Sequence, residues 1–128
     1  MIIHLIRHGK TKANQEKLYC GSTDLPLSSN GIEELMELKN LNIYPKEVDT
    51  FCTSGLLRTN QTLEILYGTV ESSKIPQFAE FNFGEFEMKS YEMLKHQKDY
   101  LAWITDETGV IHCPGGENKE KFSLRVLE

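Results

Sequence analysis

Residues 2 to 14 read Ile2-Ile3-His4-Leu5-Ile6-Arg7-His8-Gly9-Lys10-Thr11-Lys12-Ala13-Asn14. Four aliphatic side chains run almost unbroken into an arginine, a histidine and a glycine. Such a run predicts a strand over Ile2 to Arg7, apolar on both sides like the strands buried within parallel α/β sheets. Active sites in open sheets of that type gather at the carboxyl ends of the strands, and Arg7 and His8 stand at such an end. Arginine keeps its proton and offers a donor fork matched to phosphate oxygens, while an imidazole can act as nucleophile or acid-base near neutral pH. Together they point to phosphoryl chemistry, although a solvated strand end would account for either residue alone. Gly9-Lys10-Thr11 resembles the end of a nucleotide-binding P-loop, but that pattern needs an earlier glycine where His4 stands. A glycine-rich phosphate cradle is therefore excluded.

The chain has 128 residues, one domain's worth, with 39% hydrophobic and 26% charged residues, which is ordinary for a soluble globular protein. The opening apolar run is too short for a signal peptide or a membrane span, so no membrane association is expected and the cytoplasm is the default compartment. A net charge of −5 argues against a nucleic-acid or anionic-membrane surface and favours a small phosphorylated metabolite held by a local cluster. The three cysteines, Cys20, Cys52 and Cys113, are odd in number and widely spaced, and read as reduced thiols rather than a disulfide framework or metal pair. His4, His96 and His112 share no ligand-like spacing, so no metal is expected.

After a loop rich in turn formers (residues 20–27), Ser28, Ser29 and Asn30 offer N-caps for a helix whose Ile32, Leu35 and Met36 recur at helical spacing and which fades by Asn40 to Pro45. Val48 to Thr53 predicts a second strand. Ser54-Gly55 then leads into a helix with Leu63, Leu66 and Tyr67 on one face and Gly68 as its stop. An extended piece is expected at Ile75 to Phe78, a helical stretch from Ser90 through Ala102, and a final amphipathic pattern with Phe122 and Val126 four residues apart. Strand and helix alternate, so the expected class is α/β, a three-layer α/β/α arrangement around a mostly parallel sheet.

With these pieces in order, the chain resembles the histidine phosphatase superfamily, which includes cofactor-dependent phosphoglycerate mutases, fructose-bisphosphatases and α-ribazole phosphatases. Five separated stretches carry the resemblance over nearly the whole chain. Leu5-Ile6-Arg7-His8-Gly9-Lys10-Thr11-x-x-Asn14 is similar to the family's Arg-His-Gly motif, with Lys10 where an acidic or amide residue is usual, and Leu25-Pro26-Leu27-Ser28-x-x-Gly31 is similar to the start of its first helix. Cys52-Thr53-Ser54-Gly55-Leu56-Leu57-Arg58-Thr59-x-x-Thr62 resembles the segment bearing its second phosphate-binding arginine. Glu80-Phe81-Asn82-Phe83-Gly84-x-Phe86-Glu87 resembles the segment with the acidic proton donor, and Pro114-Gly115-Gly116-Glu117 matches a further family turn.

The resemblance implies a phosphomonoester hydrolase in which His8 forms a phosphohistidine. Arg7 and Arg58 would hold the non-bridging oxygens. Glu80 would protonate the leaving oxygen and then activate water, a role that calls for burial or neighbouring carboxylates. Asn14 and the backbone near Cys20 and Gly21 would contact substrate. The Gly84 to Lys89 run, with Tyr91, Tyr100 and Trp103, looks more like the α-ribazole phosphatases than the mutases, so α-ribazole 5′-phosphate, in cobalamin biosynthesis, is the expected substrate and a bisphosphoglycerate cofactor is not expected. A mutase-like phosphotransferase and a catalytically impaired phosphate-ligand binder are the alternatives.

Family members also carry a second histidine in a His-Gly pair on a later strand, and no such pair follows here. The pattern stops in mid-helix at Glu128, so the chain is expected to be the N-terminal part, about two-thirds, of a single domain with its sheet incomplete at the C-terminus. Two consequences are expected: a loss of about 10² to 10³ in rate for the missing donor, and an exposed apolar sheet edge that a second copy would cover as a homodimer.

Overall fold

Ser28 begins helix α2 (Ser29–Asn40), where the capping residues of the sequence promised a start. Its hydroxyl accepts the Gly31 N–H at 3.1 Å, satisfying one of the orphan donors of the first turn. The computed structural model describes residues 1–128, and they group into two units: Met1–Lys12 with Asp24–Pro76, and Ala13–Thr23 with Gln77–Glu128. A single turn of helix, α1 (Lys12–Gln15), lies where the chain first passes from one unit to the other.

In the first unit, strand β1 (Phe51–Thr53) is followed by helix α3 (Leu57–Tyr67) and strand β2 (Ser72–Lys74), with β1 and β2 paired in parallel, Phe51 opposite Ser72 and Thr53 opposite Lys74. This is a strand, helix, strand unit with the parallel pairing expected of the class, but its second strand is not one that the alternation predicted. Its core is Leu27, Leu35 and Leu66, with Ile32, Tyr44, Ile65 and Tyr67 packed around them. Gly68 stops α3 at a φ of 75°, a conformation in which a side chain would be strained.

The expected first strand is not formed. Residues 2–7 belong to no strand, and Ile2, Ile3 and Leu5 are 82%, 70% and 94% exposed. A strand is a property of a pair, and the apolar run records a preference for burial without supplying the neighbour that would bury it. Strand β2 went unread for the opposite reason: all three of its residues are exposed, so it carries no apolar alternation. Val48 to Thr50 lie outside β1, and Pro76–Phe78 is a 3₁₀ turn rather than an extended piece.

The second unit holds helices α4 (Tyr91–Leu94), α5 (Lys98–Ile104) and α6 (Lys119–Leu127) and a 3₁₀ turn at Gly84–Phe86. The single helical stretch expected after Ser90 is therefore two helices, with exposed His96 between them. Phe86, Leu94, Tyr100 and Cys113 are buried, and Tyr19, Phe81, Phe83 and Trp103 pack against them. Aromatic residues dominate this core, and most of their contacts are tilted or edge-on, such as Phe83 on Trp103 at 5.9 Å and 87°.

Candidate active site

Each unit carries part of the predicted site. In the first, His8 is half-buried and its Nδ1 lies 2.7 Å from the Gly9 carbonyl oxygen. A carbonyl can only accept, so Nδ1 carries a proton, and whenever the ring is neutral its lone pair is on Nε2. That is the tautomer a nucleophile needs.

The next residues are held by α2 and α3. Lys10 O accepts the Ser28 N–H at 2.9 Å and the Ser28 hydroxyl at 3.2 Å, and a side chain on Gly31 would strike the Lys10 carbonyl, which explains glycine in the first turn of a helix. Thr11 bridges to Leu27, and Lys10, the departure from the family pattern, pairs with Glu34 at 2.9 Å on the exposed face of α2. Exposed pairs of this kind contribute little. The Gly9 N–H donates to the Thr62 hydroxyl at 3.0 Å, and Thr62 in turn donates to the Arg58 carbonyl at 2.8 Å.

Arg58 sits in the first turn of α3 and is 2% exposed. The turn before it is a small polar network. Thr53 Oγ1 donates to Asn60 at 2.8 Å and accepts the Gly55 N–H at 3.2 Å, and Asp24 accepts the Leu57 N–H at 2.7 Å. A carboxylate at a helix N-terminus opposes the positive end of the helix dipole, so Asp24 anchors the turn that presents Arg58. Arg7 is exposed.

In the second unit Glu87 gathers the loop that holds Cys20 and Gly21. Its carboxylate accepts from the N–H groups of Gly21, Ser22, Thr23 and Phe83 and from the hydroxyls of Ser22 and Thr23, at 2.8 to 3.4 Å. Burial alone would push this carboxyl up, but the converging donors outweigh it and hold it below the ordinary value. Gly21 is glycine because a Cβ there would fall on the Phe81 carbonyl. Half-buried Cys20 donates its thiol to the Thr23 carbonyl at 3.4 Å. Asn14, on α1, is exposed.

Glu80 is exposed, and its carboxylate accepts the Phe81 N–H at 2.8 Å. The burial expected to tune it is absent; its backbone is fixed instead. Arg125 on α6 donates to the carbonyls of Gln77, Ala79 and Glu80 at 2.6, 3.1 and 3.4 Å, grips both Glu117 oxygens at 2.7 and 3.0 Å, and stacks on Phe122. The Arg125 hydrogen bond is the chief reason the Glu117 carboxyl is lowered, and Glu117 also accepts the Asn82 N–H at 2.9 Å.

The structure thus joins His8 to Arg58 through Thr62, and Gly21 to the segment after Glu80 through Glu87. Arg7 and Asn14 belong to neither joint. Asp24, Thr62, Glu87, Glu117 and Arg125 were not singled out by the sequence reading. Thr62, Glu87 and Glu117 lie inside the motifs that carry the resemblance, but with no role assigned to them there.

These features define an α/β protein in which a half-buried histidine at the end of the apolar N-terminal run and a buried arginine in the first turn of α3 are tied to one another through Thr62. The chain belongs to the histidine phosphatase superfamily (branch 1), whose family pattern it matches over residues 3–128. It is 33% identical over 130 residues to the adenosylcobalamin/alpha-ribazole phosphatase of Escherichia coli K12, a match covering 98% of this chain and 63% of that protein. The crystal structure of the alpha-ribazole phosphatase from Shigella flexneri superposes with a TM-score of 0.82 at 31% identity, over 95% of this chain and 61% of that one. A phosphoglycerate mutase structure from Thermus thermophilus gives 0.73 at 31% identity, over 94% and 66%. The chain spans somewhat less than two-thirds of the length of the curated phosphatase it matches. No helix is long and apolar enough to cross a membrane.

Proposed function

We propose that the protein is a phosphomonoester hydrolase working through a phosphohistidine at His8, with α-ribazole 5′-phosphate as substrate. The bond of 2.7 Å from His8 Nδ1–H to the Gly9 carbonyl carries this reading, because it leaves the Nε2 lone pair as the attacking group. The similarity to alpha-ribazole phosphatases across 98% of the chain supports the substrate class. Nε2 attacks phosphorus as the bond to the alcohol oxygen breaks, and Glu80 gives that oxygen its proton. Glu80 then takes a proton from water, which attacks the phosphohistidine, releasing inorganic phosphate and restoring the ring. Arg7 and Arg58 neutralise the phosphoryl oxygens, Arg58 as a buried cation that cannot discharge. Asn14, Cys20 and Gly21 contact the substrate.

The test is incubation with α-ribazole 5′-phosphate carrying a radiolabelled phosphate. Acid-labile, base-stable label on the peptide containing His8, lost in His8→Asn, is the expected result; label that survives the substitution, or none at all, overturns the proposal. Similarity to the Thermus mutase supports a second reading, which label passing to an acceptor hydroxyl rather than to water would favour.

A further inference from the structure

We infer that Thr62 is the positioning residue for the nucleophile, through a hydroxyl that fixes the glycine whose carbonyl selects the His8 tautomer. The inference rests on reading His8 as the nucleophile. The carbonyl that holds Nδ1–H belongs to Gly9, and glycine turns about its backbone bonds more freely than any other residue. An acceptor on so free a residue orients an imidazole only if the glycine is itself held. Two clamps do this. On one side the Gly9 N–H donates to Thr62 Oγ1 at 3.0 Å; on the other, Ser28 fixes the Lys10 carbonyl by its N–H and its hydroxyl.

The polarity of the Thr62 clamp is determined. A hydroxyl has one proton and two lone pairs, the Arg58 carbonyl can only accept and the Gly9 N–H can only donate, so Oγ1 gives its proton to Arg58 and turns a lone pair toward Gly9. Thr62 is 5% exposed, so water is poorly placed to substitute for either bond. The bond to a carbonyl four residues back is common for a helical threonine and would by itself mean nothing. Its consequence here is that the same atom ties the residue after the nucleophile to the helix that presents Arg58.

The experiment compares wild type, Thr62→Val and Thr62→Ser, each with nitrogen-labelled histidine, by NMR above the ring's titration range. His8 is assigned by its loss in His8→Asn, and exposed His4 and His96 serve as references. Wild type and Thr62→Ser should show His8 in the Nδ1–H form; Thr62→Val, folded by circular dichroism, should move toward the Nε2–H form that free histidine prefers. In the same variant phosphohistidine formation at saturating substrate should slow roughly 10-fold to 10²-fold, with KM little changed and Ser restoring the rate. An unchanged tautomer in folded Thr62→Val overturns the inference. Should that variant not fold, wild type alone decides: a Gly9 amide that exchanges as fast as an unfolded one, or His8 in the Nε2–H form, overturns it equally. A locked tautomer without any phosphohistidine in wild type would refute the proposed reaction while supporting the clamp.

Discussion

Glu87→Gln keeps the shape of the side chain and removes half of what it does. The carboxylate offers two oxygens to six donor groups: Oε1 receives Gly21, Ser22 and Phe83 N–H and the Ser22 hydroxyl, while Oε2 receives Gly21 and Thr23 N–H and the Thr23 hydroxyl. A glutamine with its carbonyl at the first position keeps that set as neutral bonds and turns its own N–H groups against the second. The Thr23 hydroxyl can rotate to accept, but two backbone N–H groups cannot. A hydrogen bond to a charged group is worth about 1.5 to 3 kcal/mol and a neutral one about 1, so the exchange should cost about 2 to 4 kcal/mol. In a chain of this size that lowers the melting temperature by roughly 10 °C at neutral pH.

Acid provides the sharper check. The folded carboxyl lies below its ordinary value of 4.5, so it binds fewer protons than the unfolded chain does at the same pH. Its stabilisation is therefore present in full above the unfolded value and lost as pH falls through the lower folded value. Melting curves followed by circular dichroism from neutral pH downward should show a gap between wild type and Glu87→Gln that holds until about pH 5 and closes below it. Equal melting temperatures at neutral pH, or a gap that does not narrow in acid, would refute the reasoning.

Arg125→Met keeps the stem of the side chain and removes its bonds to three carbonyls and to both Glu117 oxygens, and half-buried partners left so should cost about 2 to 4 kcal/mol in urea unfolding. Limited proteolysis should then cut between Gln77 and Phe81 sooner than in wild type, and an unchanged digestion pattern counts against the anchoring role. Cys113 is 0% exposed and its thiol is pushed up to about 12, by burial first and by the Glu87 charge second. Iodoacetamide near pH 8 should therefore modify exposed Cys52 and leave Cys113 unlabelled until the chain unfolds, as peptide mass spectrometry would show.

Residues whose role is set by their near neighbours were legible in the sequence. Ser28 as a cap, Gly68 as a stop and the turn around Ser54-Gly55 follow from local backbone chemistry, and the structure has each of them. Residues whose role depends on a distant partner were not. Gly21 was read only as part of a substrate-contacting backbone, and the structure adds what that reading could not supply, the reason it is glycine: the Phe81 carbonyl occupies the place of its Cβ, 60 positions further along the chain. The N-terminal run shows the same limit from the other side. Ile2 to Ile6 announce a wish to be buried, but apolarity carries no information about which strand, if any, lies alongside. Glu80 was recognised from its surrounding motif, and its exposure, a matter of tertiary placement, could not be read there.

Two glycines of the candidate site are held in the same way by different chemistry, which separates their behaviour. Gly9 is fixed by a hydroxyl 53 positions away, Gly21 by a carboxylate 66 positions away. Glycine leaves both loops free to adopt tight geometry and unable to keep it unaided, so each needs an acceptor brought from elsewhere in the fold. A hydroxyl does not titrate in the accessible range; a carboxylate does. Acidification below the ordinary carboxyl value should therefore loosen the loop from Gly21 to Thr23 while the loop at Gly9 stays ordered. Hydrogen exchange read at the Gly21, Ser22 and Gly9 amides, and corrected for the intrinsic effect of pH, tests this directly. Protection should fall at the first two and persist at the third, and protection lost equally at all three would mean that the loops open as one unit, whatever holds each of them.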